Sequence, residues 1–181
     1  MPRRLPIFDL DGTLLDSDEA LVAPFLSLGV ARDDIGFGEP VDEACRRLGV
    51  STDDYVARYD ASRSQPFPGV VDLLDRLDRW AVCSNKHPIS GREDLARWGW
   101  SPEVALFTDA FGGRQKRLGP VLEALGLGPA EVVYVGDSAH DRMAAAEAGC
   151  PFLVAGWNPR TDGLEGDAVL AAPADLLAFL G

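Results

Sequence analysis

Apolar residues along this chain fall into two kinds of run. Short, nearly unbroken blocks at residues 5–10, 79–84, 131–135 and 152–155 suit strands buried on both faces. Between them apolar positions recur every three or four residues, the period of a helix with one buried face. Val70, Val71, Leu73, Leu74 and Leu77 form one such helix, introduced by Pro66, Pro68 and Gly69. Ser90 and Glu93 read as a capping box for a helix running through Trp98. Residues 116–125 predict a helix distorted at Gly119-Pro120, and residues 139–148 one stopped by Gly149. Shorter strands are expected at residues 107–111 and 168–170, and Pro173 opens a terminal helix as its first residue.

Residues 16–65 break this alternation. Leu21, Val22, Phe25 and Leu26 have helical spacing behind Ser17 as N-cap. Val41, Ala44, Cys45 and Leu48 share a face of a second helix that starts near Pro40 and stops at Gly49. Ser51 to Asp54 is an acidic capping-box start for a third, bearing Tyr55 and Tyr59. Residues 35–40 read as a loop, and no strand is expected in the block. Strands alternating with helices imply a parallel sheet covered on both faces, a doubly wound α/β fold. The chain is thus expected to divide into a core of residues 1–15 and 66–181 and a small helical cap of residues 16–65, inserted after the first strand.

The chain has 181 residues and is 46% hydrophobic, with no apolar run near the roughly 20 residues that span a bilayer. The apolar stretch behind the basic start is too short for a signal peptide, so the expected location is cytoplasmic. Three widely spaced cysteines, Cys45, Cys83 and Cys150, fit neither a disulfide framework nor a zinc site. The two histidines, His87 and His140, exclude a histidine-rich metal cluster and read as surface or rim residues. A net charge of −12 disfavours nucleic acid and anionic membrane as partners, but leaves room for a small anionic substrate in a locally positive pocket. The chain is expected to be a monomer or a homodimer.

Open parallel sheets bind ligands beyond the carboxyl ends of their strands. Asp9, Asp11, Gly12 and Thr13 follow the first block, Ser84 and Asn85 the second, and Asp137, Ser138 and Asp141 the 131–135 block. Lys116 is placed at the start of the helix before that last strand. Carboxylates so close together repel one another unless a cation sits among them, and magnesium prefers such oxygen ligands. An aspartate can serve as nucleophile, and a second one two residues on can protonate a leaving group and then activate water. Alternation points Asp9 and Asp11 the same way if the strand continues that far.

Asp9-Leu10-Asp11-Gly12-Thr13, Ser84-Asn85, Lys116, and Gly136-Asp137-Ser138-Ala139-His140-Asp141 resemble, in order, the four motifs of the haloacid dehalogenase superfamily. Phe8 to Ser17, Phe67-Pro68-Gly69-Val70 and Tyr134 to Ser138 are similar to its phosphoglycolate-phosphatase-like members. The resemblance implies a magnesium-dependent hydrolase of small phosphomonoesters, with Asp9 as nucleophile and metal ligand. It implies that Asp11 is the general acid/base, with its main-chain carbonyl on the metal. Thr13, Ser84, Asn85 and Lys116 would contact the phosphoryl group. Asp137 and Asp141 would serve the metal, Asp141 alternatively Lys116. Residues 115–120 lack the Lys-Pro pair common in such relatives, which leaves Lys86 and Arg117 as alternatives to Lys116. The cap block is shorter than theirs. A phosphotransferase of the sugar-phosphomutase type and a non-catalytic binding protein on the same fold are the other readings.

Overall fold

The computed structural model describes residues 4–181, and the basic start at residues 1–3 lies outside them. Strand β1 (Leu5–Phe8) comes first. A two-residue strand β2 (Leu15–Asp16) follows, then helices α1 (Asp18–Ser27), α2 (Val41–Leu48) and α3 (Thr52–Ala57), and another two-residue strand β3 (Gln65–Pro66). From there helices and strands alternate as far as the seventh strand: α4 (Val70–Leu74), β4 (Ala81–Cys83), α5 (Pro88–Arg97), β5 (Val104–Leu106), α6 (Gly119–Leu125), β6 (Val132–Gly136), α7 (Ala139–Ala148) and β7 (Phe152–Ala155); a 3-10 turn (Pro159–Thr161), β8 (Ala168–Leu170) and α8 (Leu177–Leu180) follow.

Six strands form one parallel sheet in the order β5-β4-β1-β6-β7-β8. Side-chain alternation splits their apolar residues between two cores. Phe8, Val82, Val133, Val135 and Leu153 pack on one face with residues of α4, α5 and α8. Ile7, Ala81, Cys83, Val132, Tyr134 and Phe152 pack on the other with residues of α6 and α7. This is the expected doubly wound α/β architecture. The chain steps from β1 to β4 and β5 on one side, then returns to β6 on the other. The carboxyl ends of β1 and β6 therefore flank the crevice where connections leave in opposite directions, the place such sheets use for ligands.

The helices of residues 16–65 carry a small core of their own, in which Phe25, Val41, Ala44, Cys45 and Tyr55 are buried together. Gly49 ends α2 in the left-handed conformation, and Ser51 caps α3 by accepting the N–H of Asp54, as predicted. The margins differ from expectation. Leu15 pairs with Pro66 and Asp16 with Gln65 in an antiparallel ribbon of two strands, so strand structure closes the insertion where none was expected.

Four further expectations are corrected. Pro173 opens a 3-10 turn (Pro173–Leu176) instead of the terminal helix, which starts at Leu177. Helix α5 starts at Pro88 with His87 as its cap, which places Ser90 inside the helix rather than at its cap. Proline at the first helical position explains the earlier start. The edge strand is β5, while Thr108–Phe111 is a 3-10 turn that buries Phe107 and Phe111 beneath the sheet's helices. Helix α6 begins at Gly119, so Lys116 lies in the preceding loop. Among the described residues no helix is long and apolar enough to cross a membrane.

Candidate active site

Asp9 directly follows β1, and its N–H still bonds Val135 O across the sheet at 2.9 Å. Its carboxylate accepts the Leu10 N–H at 2.7 Å and pairs with Lys116 at 2.9 Å. Strand pairing stops there. The chain turns through Leu10 to Leu15, with Gly12 at φ 78°, so Asp11 and Thr13 are aimed by a turn and not by strand alternation. A Cβ on Gly12 would lie 2.2 Å from Asp137 Oδ2, so only glycine lets this turn approach the β6 acid.

Asp11 accepts hydrogen bonds from Lys86 Nζ and Ser17 Oγ, each at 2.6 Å. Ser17 holds the N-cap position of α1 but spends its hydroxyl on Asp11. Thr13 donates to Asp137 Oδ1 at 3.0 Å. Ser84 is buried, and its oxygen accepts the Lys86 N–H. The Asn85 side chain is committed elsewhere: it donates to Gly38 O and Gln115 Oε1 and accepts the Lys116 N–H at 2.7 Å. It ties the insertion and the Lys116 loop to the end of β4.

Asp137 follows β6. Asp141, in the first turn of α7, accepts the N–H groups of Asp137 and Ser138 and the Ser138 hydroxyl on one oxygen. Its other oxygen takes the Tyr134 hydroxyl and Lys116 Nζ, at 2.7 and 2.6 Å. Both oxygens are thus fully engaged in fixing the turn and the lysine. Oxygens of Asp9, Asp137 and Asp141 lie within 4.8 Å of one another, and Asp11 stands outside this group.

Of the alternatives for the third motif, Lys116 is the residue that touches Asp9. Lys86, the only other lysine of the chain, instead bridges Asp11 and Asp94 (2.9 Å) and lies 4.5 Å from the centre of the Tyr59 ring. Both lysines are buried. Arg160, after β7, reaches Asp137 Oδ2 at 3.2 Å and Asp18 at 3.1 Å, and stacks on Phe37. Three cations are therefore each shared between two carboxylates, leaving the site with an excess of negative charge.

Burial pushes the Asp9 carboxyl up to about 7, with Lys116 only partly offsetting it. Burial, and then the charges of Asp141 and Asp9, drive Asp137 well above the usual carboxylate range. Burial pushes Asp141 the same way, but Lys116 and its hydrogen bonds outweigh it and hold this carboxyl low. Two acids that resist ionisation beside each other form the donor set a divalent cation fits: oxygen-only, converging and short of positive charge.

Sequence reasoning overlooked Asp94, Tyr59, Asn158 and Arg160. Asn158 donates to Gly12 O at 2.8 Å and steadies the turn after Asp9. The carboxyl-edge rule applied to the loop after β7 would have found Asn158 and Arg160. Trp157 braces the same turn through Thr13 O at 2.8 Å. His87 lines the pocket's rim.

The chain matches the family of haloacid dehalogenase-like hydrolases over residues 6–155. It belongs to that family. It is 32% identical over 190 aligned positions to a phosphoglycolate phosphatase of Xylella fastidiosa, covering 87% of this chain and 82% of the relative. It is also 30% identical to the tyrosine-protein kinase PtkA of Mycobacterium tuberculosis, over 85% of this chain and 62% of that protein. Among solved structures, CbbY from Rhodobacter sphaeroides in complex with phosphate superposes with a TM-score of 0.73 at 22% identity, over 98% of this chain and 99% of that one. This family member thus shares its fold with a protein crystallised with phosphate.

Proposed function

We propose that this hydrolase cleaves small phosphomonoesters by passing the phosphoryl group through Asp9. The chain is a phosphoric monoester hydrolase by family and by its phosphatase relatives; the residue roles are our reading. One observation carries it: Asp9, Asp11, Ser84 and Asp137 line a single pocket under the insertion, with Lys116 on the nucleophile. The Asp9 carboxylate attacks phosphorus and the ester P–O bond breaks. Asp11 gives its proton to the departing oxygen, so that a neutral alcohol leaves. Water then attacks the aspartyl-phosphate, Asp11 takes its proton, and inorganic phosphate and free Asp9 result. Lys116 and the Ser84 hydroxyl face the charge that builds on the phosphoryl oxygens. Thr13 supports this by orienting Asp137, and Asn85 by placing the Lys116 loop. Residues 16–65 act as the cap that keeps bulk water from the pocket.

Asp9 and Asp137, with the Asp11 main-chain carbonyl, would hold magnesium, and Asp141 would hold their surroundings in place. The ion would polarise the phosphoryl oxygens and neutralise the crowded acids. Steady release of phosphate from p-nitrophenyl phosphate is expected to stop with EDTA and return with magnesium. Metal-indifferent turnover, or transfer without free phosphate, would contradict this reading. A proton on Asp9 competes with the cation, so magnesium affinity should weaken as pH falls below about 7. Calorimetric titration at several pH values checks the sign. Three buried free cysteines favour a reducing compartment, in keeping with a cytoplasmic location.

Arg160 already occupies an oxygen of Asp137. Removing that charged hydrogen bond in Arg160→Met is expected to tighten magnesium binding roughly tenfold without substrate. Unchanged or weaker affinity by calorimetry would show that the guanidinium does not compete.

A further inference from the structure

The pocket over Asp9 has an unusual balance of chemistry for an enzyme of small phosphorylated acids. Its far wall is hydrocarbon. Leu21 and Phe25 from α1, Val41 from α2, and Tyr55 and Tyr59 from the third helix and its exit line it. Neither tyrosine has a hydroxyl to spare: Tyr55 donates to Leu21 O at 3.1 Å and Tyr59 to Asp94 at 2.8 Å. A ligand therefore meets their ring surface and no free phenolic proton.

Among the described residues the pocket lining carries no surplus positive charge for a second anionic group. The lysine and arginine that line the pocket, Lys86 and Arg160, are each bound to two carboxylates. His87 lends its Nδ1 lone pair to the Ile89 N–H at the start of α5. Of the five arginines of the insertion, Arg32, Arg47, Arg58 and Arg63 pair with Glu19, Glu39, Asp54 and Asp60, while Arg46 is exposed, and none of the five lines the pocket. The other charged groups that line it, Asp9, Asp11, Asp137 and Glu39, are all acids. A substrate carboxylate placed here would lose its water without gaining an uncompensated counter-charge, which is unfavourable.

One buried polar atom beside the pocket is unpaired. Ser90 lines the pocket, is buried, and its hydroxyl has no hydrogen-bond partner. A buried hydroxyl left unpaired is unfavourable unless something fills the need on binding. A neutral group of this kind suits a hydroxyl or carbonyl oxygen, and to a carboxylate it offers a hydrogen bond but no compensating charge.

We infer that the natural substrates are monophosphate esters of an uncharged, predominantly apolar alcohol, and that carboxylate-bearing esters such as phosphoglycolate are discriminated against. The inference rests on the phosphatase reading and goes further by naming the leaving group. The alcohol body lies against the α1 and α2 side chains, and the phosphoryl end lies on Asp9.

The test compares kcat/KM of the magnesium-loaded enzyme for benzyl phosphate and 2-phosphoglycolate, whose alcohols are of similar acidity, so that chemistry is matched and recognition differs. Benzyl phosphate is expected to win on the order of a hundredfold, the scale on which a site rejects an unpaired polar group. Equal or better turnover of phosphoglycolate overturns the inference while leaving the phosphatase reading intact. No turnover of either ester, or of p-nitrophenyl phosphate, removes the phosphatase reading and this inference with it. A second variant turns the preference round: Leu21→Arg puts an unpaired guanidinium on the wall and should raise kcat/KM for phosphoglycolate at least tenfold. A folded Leu21→Arg protein that gains nothing on the carboxylate ester would mean that this wall does not face the leaving group.

Discussion

Asp9→Asn is expected to lower phosphate release by a factor on the order of 10⁴ or more while leaving the protein folded. An amide cannot form the acyl phosphate, so the loss should fall on kcat rather than on substrate binding. The fold should not suffer. The amide oxygen can still accept the Leu10 N–H, and Lys116 keeps Asp141 as a partner. Burial holds the Asp9 carboxyl near 7, above its value of 3.8 in an unfolded chain. Its stabilising share is therefore present at low pH and lost as pH rises through about 7. Above that pH, in the absence of metal, asparagine relieves a destabilising charge. The melting temperature of metal-free Asp9→Asn at pH 8 should equal or exceed that of the parent. A folded variant with substantial turnover would refute the nucleophile assignment, and a strongly destabilised one would refute the electrostatic account.

The second large effect concerns Lys116. Its ammonium is buried between Asp9 and Asp141 and separates two carboxylates that would otherwise face each other. Lys116→Met keeps the stem and removes the charge. Removing one partner from a buried ion pair typically costs about 3–5 kcal/mol, here softened by protonation of Asp9. For a chain of this size that is roughly 10 °C in melting temperature. Turnover should fall at least about a hundredfold, since a donor to the developing phosphoryl charge is gone. Urea unfolding and initial rates read the two effects separately. Loss of activity without loss of stability would place the lysine outside the Asp9–Asp141 bridge.

Much of this arrangement was legible in the residues because it is carried by short-range pattern. Unbroken apolar blocks announced β1, β6 and β7, Gly49 and Gly149 announced the ends of α2 and α7, and the acids at the ends of β1 and β6 stood out against apolar neighbours. The edge strand β5 was misplaced because its three residues, Val104 to Leu106, are only half-buried and show no alternation. Phe107 beside them is more apolar for another reason: its ring fills the space at Gly91, where a Cβ would come within 2.3 Å. Side-chain aim was the other gap. Asp11 turns to Lys86, 75 positions along the chain, and Thr13 to Asp137, 124 positions along. Arg160 and Asn158 enter from a loop whose residues carry no periodicity. Such long-range pairings obey the geometry of the assembled sheet edge, and local spacing does not encode them.

The placement of the lysines has a practical consequence. The chain's two lysines both lie buried in the site, so the folded protein offers amine-directed reagents no accessible lysine side chain. Acylation at positions 86 and 116 then becomes a clock for opening of the catalytic crevice. The adduct located at these two positions by peptide mapping reports how often each buried amine reaches solvent, and a substrate that closes the crevice should slow it.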